Sequence, residues 1–469
     1  MNDLIVIEKA LTVQGVSPAA RELKGEIIRQ ATHKNPKWQE AKRLGRYCFN
    51  IPSEIKTFMK APDGSIVCGR GFLNLVREYE DRIQTVDARL LPDLAKPITF
   101  TGELRDYQSA VVTKAINAEQ GVLVAPTGSG KTVIGCAIMA AVKTPTLFLV
   151  HRVELLEQSV AAVRRFLGVE PGVVGNGKFN VQDITIAMVQ SLKADRLKEL
   201  TNRFGCVILD EAHHAPASTF GNLINKFPAK YRFGLTATPS RKDRMHPILF
   251  DLVGPIVAKV NTRKLIADGA ITSLEVVIVD SGFTGKAPRQ CPKKDEKAED
   301  APIDFGRLLE QLVRNQSRNR KIVDTVAELF RGQSLVLTDR IEHVSELVRL
   351  IRLTSPDLLT FGLTSETPKD ERAAVIRQFR DGSASVLVAT CSLIGEGFDC
   401  PAIDSVFLTT PTGNPNKVKQ LIGRALRPAP DKVSGRVVDF VDNIDVLSNM
   451  AWKRAEIYRS FRPVEEGLL

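Results

Sequence analysis

From about residue 100 onward the chain alternates two hydrophobic patterns. Short continuous apolar runs occupy 121–125, 146–150, 184–188, 206–210 and 231–236, and longer stretches with apolar positions three and four apart separate them. Unbroken runs of four to six apolar residues predict strands buried on both faces, and the stretches between them predict amphipathic helices. That succession predicts a parallel sheet covered by helices. The same grammar returns after residue 305, with runs at 334–338, 358–363, 385–389, 405–409 and 436–440. The chain therefore repeats a whole α/β lobe, one over 100–280 and one over 305–469. Between them, residues 281–304 contain Gly, Pro and the run Lys293-Lys294-Asp295-Glu296-Lys297. That composition predicts a solvated linker or loop.

The first hundred residues read differently. Stretches 22–30 and 37–43 look helical and charged, and 64–70 predicts a hairpin arm with Ile66 and Val67 in a short strand. Stretch 71–83 places Phe72, Leu73, Leu75 and Val76 on one helical stripe. These elements predict a small α/β module over 1–95, closed by the proline-spaced segment 91–97.

Charge adds a partner to this picture. Lys and Arg total 65 against 54 Asp and Glu, a formal net charge of +11. The first 60 residues hold 11 basic and 6 acidic side chains. Such an excess suits a polyanion, nucleic acid first. In the module the charges Lys37, Lys42, Arg43, Arg46, Lys56, Lys60 and Arg70 interleave with Trp38, Tyr47, Phe49 and Phe72. Rings among cations could stack on unpaired bases, so 1–95 is expected to be a basic nucleic-acid-binding module, with Phe72 in its core. The plainer alternative is a stabilising cap on lobe one. On either reading its removal is expected to leave folded lobes.

Composition also removes several classes. With 43% hydrophobic and 25% charged residues the chain is neither disordered nor a coiled-coil rod. No apolar run reaches the roughly 18–20 residues that span a bilayer, and the first ten residues do not resemble a leader. Seven cysteines without a C-x-x-C pair, and six histidines without ligand spacing, give no zinc or iron–sulfur signature. A reducing, cytoplasmic setting is expected.

The chemistry concentrates at Ala125-Pro126-Thr127-Gly128-Ser129-Gly130-Lys131-Thr132, between a predicted strand and an amphipathic helix. Gly128 and Gly130 let the backbone curl so that several N–H groups face one point, and the helix N-terminus adds its positive end. Lys131 supplies a charge for β- and γ-phosphates, and the Thr132 hydroxyl suits Mg²⁺. ATP with Mg²⁺ is the expected cofactor pair, and Thr127 and Ser129 complete the loop. Downstream, the apolar run 207–209 ends in Asp210 and Glu211, which should emerge at the carboxyl edge of the sheet, where open α/β sheets bind ligands. Asp210 can hold Mg²⁺ through water, and Glu211 can orient and deprotonate an attacking water.

Asp210-Glu211-Ala212-His213, followed by Leu235-Thr236-Ala237-Thr238-Pro239, resembles the superfamily 2 helicases of DEAH type. Other motifs occur in that family's order over residues 101 to about 445. Leu104-Arg105-Asp106-Tyr107-Gln108 resembles the adenine-recognition segment, which assigns Arg105 and Gln108 to nucleotide. The segments around His151-Arg152 and Val189-Gln190-Ser191 resemble motifs that contact nucleic acid. In the second lobe, 335–344 resembles the fourth motif. Gly395-Glu396-Gly397-Phe398-Asp399 resembles the fifth, and Gln420-Leu421-Ile422-Gly423-Arg424-Ala425-Leu426-Arg427 the sixth, with Leu421 where the family usually has Arg.

The resemblance implies two tandem RecA-like lobes with ATP in the cleft. It makes Arg152, Gln190, Arg372 and Thr390 nucleic-acid contacts, Gly397 and Asp399 nucleotide contacts, and Thr236, Thr238 and Gln420 coupling residues. Arg424 and Arg427 stand three apart, which on a helix puts both on one face. Two guanidiniums directed at a γ-phosphate stabilise charge developing on its oxygens. The double histidine at 213–214, the segment 241–255 and Arg70-Gly71-Phe72-Leu73 are most similar to the XPB-like and UvsW-like branch, which implies remodelling of forked or branched DNA. DNA is favoured over RNA on that basis alone. The rival readings are an RNA helicase and the motor subunit of a restriction or defence complex. A non-enzymatic binding module would be expected to have lost Lys131, Glu211 or Arg424, and all three are present.

Overall fold

In the N-terminal module, Ser17 caps the helix Pro18–Gln30 by accepting from the Ala20 N–H at 3.1 Å, with Pro18 fixing the first turn. The helix buries Ala20, Leu23 and Ile27 against a five-stranded sheet. Its strands run in the order Phe58–Lys60, Ile66–Cys68, Leu11–Gln14, Leu4–Ile7, Gln84–Asp87. Alternation in the first hairpin sends Ile5, Ile7, Leu11 and Val13 into the core beside Phe72, Leu73 and Val76. The expected helix over 71–83 is shorter: a single 3₁₀ turn Arg70–Phe72 leads into Leu73–Arg77. This computed structural model describes residues 3–43, 45, 47–214, 223–239, 244–291, 301–394, 400–429 and 432–461.

The chain forms two compact units. Apart from residues 127–129, the first runs to Val260 and the second begins at Asn261. The first unit joins the module to a sheet of eight strands. Their order is Lys178–Asn180, Gly172–Gly175, Ile184–Met188, Thr146–Val150, Cys206–Leu209, Tyr231–Thr236, Gln120–Val124, Ile256–Lys259. All pair in parallel except the outermost, Lys178–Asn180. The central strands are buried along their whole length, as continuous apolar runs require.

The module is built into this sheet. Arg70, expected on a nucleic-acid-binding surface, is fully buried. Its guanidinium donates to Gln120 Oε1 at 2.9 and 3.1 Å, to Lys230 O at 2.8 Å and to Ala229 O. Arg232, also fully buried, donates to Lys9 O at 3.0 Å and to Phe227 and Leu252 carbonyls. Asp251, on the helix His246–Val253, holds His33 Nε2 and Thr57 Oγ1, each at 2.5 Å. Gly71 lies so close to that helix that a Cβ there would stand 1.9 Å from Phe250 O. Phe72 is buried as expected. Arg46 lies outside the described residues.

The second unit is a six-stranded sheet, parallel throughout its described pairings. The order is Ser273–Asp280, Ser434–Val441, Ile403–Leu408, Gln333–Thr338, Val386–Thr390, Thr360–Leu363. The strand Ser273–Asp280 therefore belongs to lobe two, and the expected boundary at 280 moves to 260. The expected solvated linker 281–304 also changes. Ser281, Phe283 and Ala301 are buried, Ser281 Oγ donates to Asp442 Oδ1 at 2.5 Å, and Phe283 packs with Leu308, Leu312 and Leu447. Its flanks are docked parts of lobe two, while the charged run 293–297 lies outside the described residues.

Candidate active site

The strand Gln120–Val124 delivers its carboxyl end into the glycine loop, and Ala125 N donates to Thr236 O at 2.9 Å. Gly128 (φ +87°) and Gly130 (φ +77°) take left-handed backbone, and Gly130 opens the helix Lys131–Ala141. A Cβ at Gly130 would lie 2.6 Å from Gln108 Nε2, so the Gln108 amide rests directly against the loop. Gln108 is buried in the first turn of Asp106–Ala118, and its Oε1 accepts from Arg105 N at 3.0 Å. Arg105 itself is exposed, and Thr127 and Thr132 are half-buried. Converging N–H groups at a helix N-terminus, with backbone free of side chains, fit a polyphosphate.

Opposite this loop, Asp210 and Glu211 follow the buried strand Cys206–Leu209, as expected. Asp210 N donates to Leu149 O at 2.9 Å, which fixes the end of the strand. Burial and the neighbouring Glu211 carboxylate push Asp210 up, to about 6, while Lys131 and His151 pull it back. Glu211 sits at φ +46° and donates its N–H to Asp210 Oδ1 at 2.9 Å. Left-handed backbone costs a side-chain-bearing residue of order 1–2 kcal/mol, and here that strain falls on the candidate base. Its Oε1 lies 3.3 Å from Lys131 Nζ. Thr132 and Asp210 offer oxygen donors only, which fits Mg²⁺. Among the described residues no group of three His, Cys, Asp or Glu could hold a metal by itself, and Mg²⁺ bound beside phosphates needs only one or two carboxylates.

His213 ends the Asp-Glu-Ala-His tetrad and begins the double histidine. Its buried Nδ1 lies 2.9 Å from Thr236 Oγ1 and 3.3 Å from Glu211 Oε2. The Thr236 hydroxyl donates to Thr238 O at 2.8 Å and so must accept from His213. Nδ1 therefore carries the hydrogen, an assignment that rests on the network. Thr238 N completes the turn by donating to Thr236 Oγ1 at 3.2 Å. Lys131, Glu211, His213, Thr236 and Thr238 thus form one continuous polar chain. At the same sheet edge Gln190 Nε2 donates to His151 O at 2.6 Å, beside Arg152, which starts the helix Val153–Leu167.

In the second unit the expected residues are placed less uniformly. Gln420 and Arg424 lie on the helix Pro415–Ala425, Arg424 buried and Gln420 half-buried. Arg427 stands beyond the end of that helix, so the two arginines do not share a helical face. Burial and Arg380 push Arg427 down to about 10. Arg372 turns inward: its Nη2 donates to the carbonyls of Thr367, Ser365 and Thr364 at 3.1, 3.3 and 3.5 Å. It thereby braces a turn of its own lobe. Thr390 is buried at the end of Val386–Thr390, its hydroxyl without a hydrogen-bond partner among the described residues. Gly397 and Asp399 lie outside the described residues.

Two family models match the chain. Residues 101–241 match "Type III restriction enzyme, res subunit", and 317–429 match "Helicase conserved C-terminal domain". Together they span more than half of the sequence. The chain is 28% identical over 437 residues to a protein named DNA 3'-5' translocase XPB2 from Sulfurisphaera tokodaii, covering 87% of this chain and 93% of that one. It is 26% identical to the probable helicase D10 of Escherichia phage T5, covering 83% and 82%. Among solved structures, an HsdR-subunit fragment of a type I restriction enzyme from Vibrio vulnificus superposes with a TM-score of 0.56 at 21% identity, over 73% of this chain and 65% of that one. The S. cerevisiae protein Dbp5 superposes with a TM-score of 0.51 at 16% identity, over 76% and 88%. These likenesses give the fold, two RecA-like lobes.

Proposed function

Given that the chain belongs to the superfamily 2 helicases and is an ATP-hydrolysing, nucleic-acid-dependent enzyme, we propose that it is a motor that tracks along DNA and remodels forked or branched duplexes. The observation that carries the reading is the chain from Lys131 through Glu211 and His213 to Thr236 and Thr238. It joins the residues suited to hydrolysis to the edge of the sheet suited to nucleic acid.

In this reading the loop N–H groups and Lys131 hold the β- and γ-phosphates, and Gln108 reads the adenine edge. Thr132 and Asp210 hold Mg²⁺, which supplies neutralising charge at the phosphate oxygens. Glu211 orients a water and takes its proton, releasing Lys131 as it does so. His213 stands between the Glu211 carboxylate and Thr236, to which its Nδ1–H donates. Arg424 and Arg427 are the guanidiniums suited to stabilise a γ-phosphate as charge develops. Arg152 and Gln190 contact the tracked strand. The 28% identity to a DNA translocase over nearly all of that protein's length supports DNA over RNA.

The module supports the forked substrate. Tyr47 and Phe49 are each 83% exposed and stack on one another with centroids 6.1 Å apart. Lys42 lies 4.8 Å over the Trp38 ring, and Lys37, Arg43, Lys56 and Lys60 are exposed. Exposed rings among cations suit unpaired bases beside phosphates. The test is the ATPase rate with single-stranded, duplex, forked and four-way DNA, and with RNA, all at one stated salt concentration. Stimulation greatest with forked or four-way DNA is expected. Greater stimulation by RNA would overturn the DNA reading, and equal stimulation by all DNAs would remove the branched substrate.

A further inference from the structure

An edge hairpin of the first unit lies outside every motif used so far. Gly172–Gly175 and Lys178–Asn180 are joined by Asn176 (φ +49°) and Gly177 (φ +79°), the two left-handed residues of the tightest hairpin turn. The hairpin is held firmly. Met188 packs over Gly175, where a Cβ would stand 2.8 Å from it, and Val174, paired with Phe179, is fully buried.

Strand register fixes where the turn lies. Val174 pairs in parallel with Ala187, and Met188 pairs with Val150. The residues just beyond these three strand ends are Asn176, the Val189–Ser191 turn with Gln190, and His151-Arg152. Three successive loops therefore emerge at one edge. With neighbouring strands about 4.8 Å apart, the hairpin stands roughly 5 Å beside the strand of Gln190 and roughly 10 Å beside that of Arg152.

The side chains at this end form a cationic surface. Arg196, on the helix Ala194–Leu200, holds its guanidinium 5.3 Å over the Phe179 ring, which is 39% exposed. Among the described residues Arg196 makes no ion pair, although Glu199 stands one turn away. Lys178 and Lys193 are exposed on either side. An aromatic ring under a guanidinium holds its plane while leaving the N–H fork outward, the arrangement that suits a phosphate.

We propose that the hairpin and Arg196 form an auxiliary phosphate-binding arm that extends the tracked-strand path past Gln190. The proposal rests on the motor reading above. At about 3.4 Å per nucleotide, the roughly 5 Å beyond the strand of Gln190 adds about one to two nucleotides to the footprint. Phe179 acts as a positioning residue for Arg196, and Arg196 and Lys178 carry the contacts.

The experiment measures affinity of the full chain for dT oligonucleotides of graded length, across a salt series. Arg196→Ala with Lys178→Ala should weaken binding of long oligonucleotides about tenfold and reduce the salt slope by about 1.4, near 0.7 for each lost phosphate contact. Oligonucleotides too short to reach the arm should bind parent and variant alike. Phe179→Leu should give part of the loss, and Arg196→Lys less than Arg196→Ala. Lys114→Ala, an exposed charge on the helix Asp106–Ala118, is the control and should change nothing. A parent that binds oligonucleotides and a double variant with the same affinity and slope would overturn the arm alone. Equal loss at every length would also overturn it. A parent that binds no oligonucleotide would overturn the motor reading and the arm with it.

Discussion

Arg70→Met tests how deeply the N-terminal module is built into lobe one. The substitution keeps most of the side chain's volume but removes every donor from a fully buried site. It strands four acceptors: Gln120 Oε1, Ala229 O, Lys230 O and, at 3.5 Å, Glu8 O. A buried acceptor left unsatisfied costs about 1–3 kcal/mol, and neighbouring losses are not additive. Against this, burial and the nearby Arg232 and Arg89 already disfavour the Arg70 charge, so its removal returns part of the loss. A net destabilisation of about 2–4 kcal/mol is expected, a large share of a typical domain's stability. The assay is urea unfolding of the full chain, followed by Trp38 fluorescence in a Trp452→Phe background so that the first unit alone reports. Amide exchange along Gln120–Val124 should rise in parallel, because Gln120 loses its anchor. A variant within about 1 kcal/mol of the parent, with unchanged exchange in that strand, would refute the reasoning. The same geometry reverses the expectation that residues 1–95 can be removed from a folded motor: the truncated chain would also lose the partners of Arg232 and Asp251 and should fold poorly.

Glu211→Gln should retain ATP binding and lose turnover by roughly 10²–10⁴; near-normal turnover would remove Glu211 as the base. Arg424→Ala should lower kcat far more than it raises KM, since its contact forms with developing charge, and a defect confined to KM in steady-state kinetics would argue for ground-state binding. His343 offers a pH test. Burial, then the Arg318 charge, holds it down to about 3, so the unfolded state binds the extra proton between that value and about 6.5. Its stabilising contribution is complete above pH 6.5 and falls by about 1.4 kcal/mol per unit as pH drops below it. Urea unfolding of the second unit from pH 7.5 to 4.5 should show this loss in the parent and a shallower one in His343→Gln.

The sheets were legible where apolar runs were continuous, because only strands covered on both faces carry that pattern. What escaped had specific causes. Ser273–Asp280 is a strand by pattern, but chain order does not say which sheet a strand joins, and its partner Ser434–Val441 lies far along the sequence. The hairpin Gly172–Gly175 with Lys178–Asn180 is short and glycine-rich, although Asn176-Gly177 is a turn signal that could have found it. The shared helical face of Arg424 and Arg427 assumed an unbroken helix. Pro428 disfavours helical backbone at the residue before it, and the helix ends at Ala425. Arg70 reads as a surface charge because arginines are seldom fully buried, and nothing local foretells acceptors at Gln120, Ala229 and Lys230. At the candidate site the glycine loop and the Asp210–Glu211 pair were legible as motifs. The left-handed Glu211 and the His213 bridge to Thr236 were not, since both depend on strands meeting in space.

Of the three strands that deliver the candidate site, the module holds two at their other ends. Gln120, gripped by Arg70, begins the strand that enters the phosphate-binding loop. Arg232, which donates to Lys9 O, lies one residue into the strand that ends at Thr236. The strands are five and six residues of paired backbone, about 17–20 Å long. A module clamped to both has no swivel of its own against lobe one. Contiguity alone does not establish energetic coupling, but it does fix geometry. On the proposed reading, Tyr47 and Phe49 then stand at a set distance from Lys131, and a substrate is selected by whether its junction can meet both places at once. A freely tethered module would lack this constraint and would bind any DNA within reach of its linker. Substrate shape, rather than module affinity alone, is therefore what this architecture is suited to read.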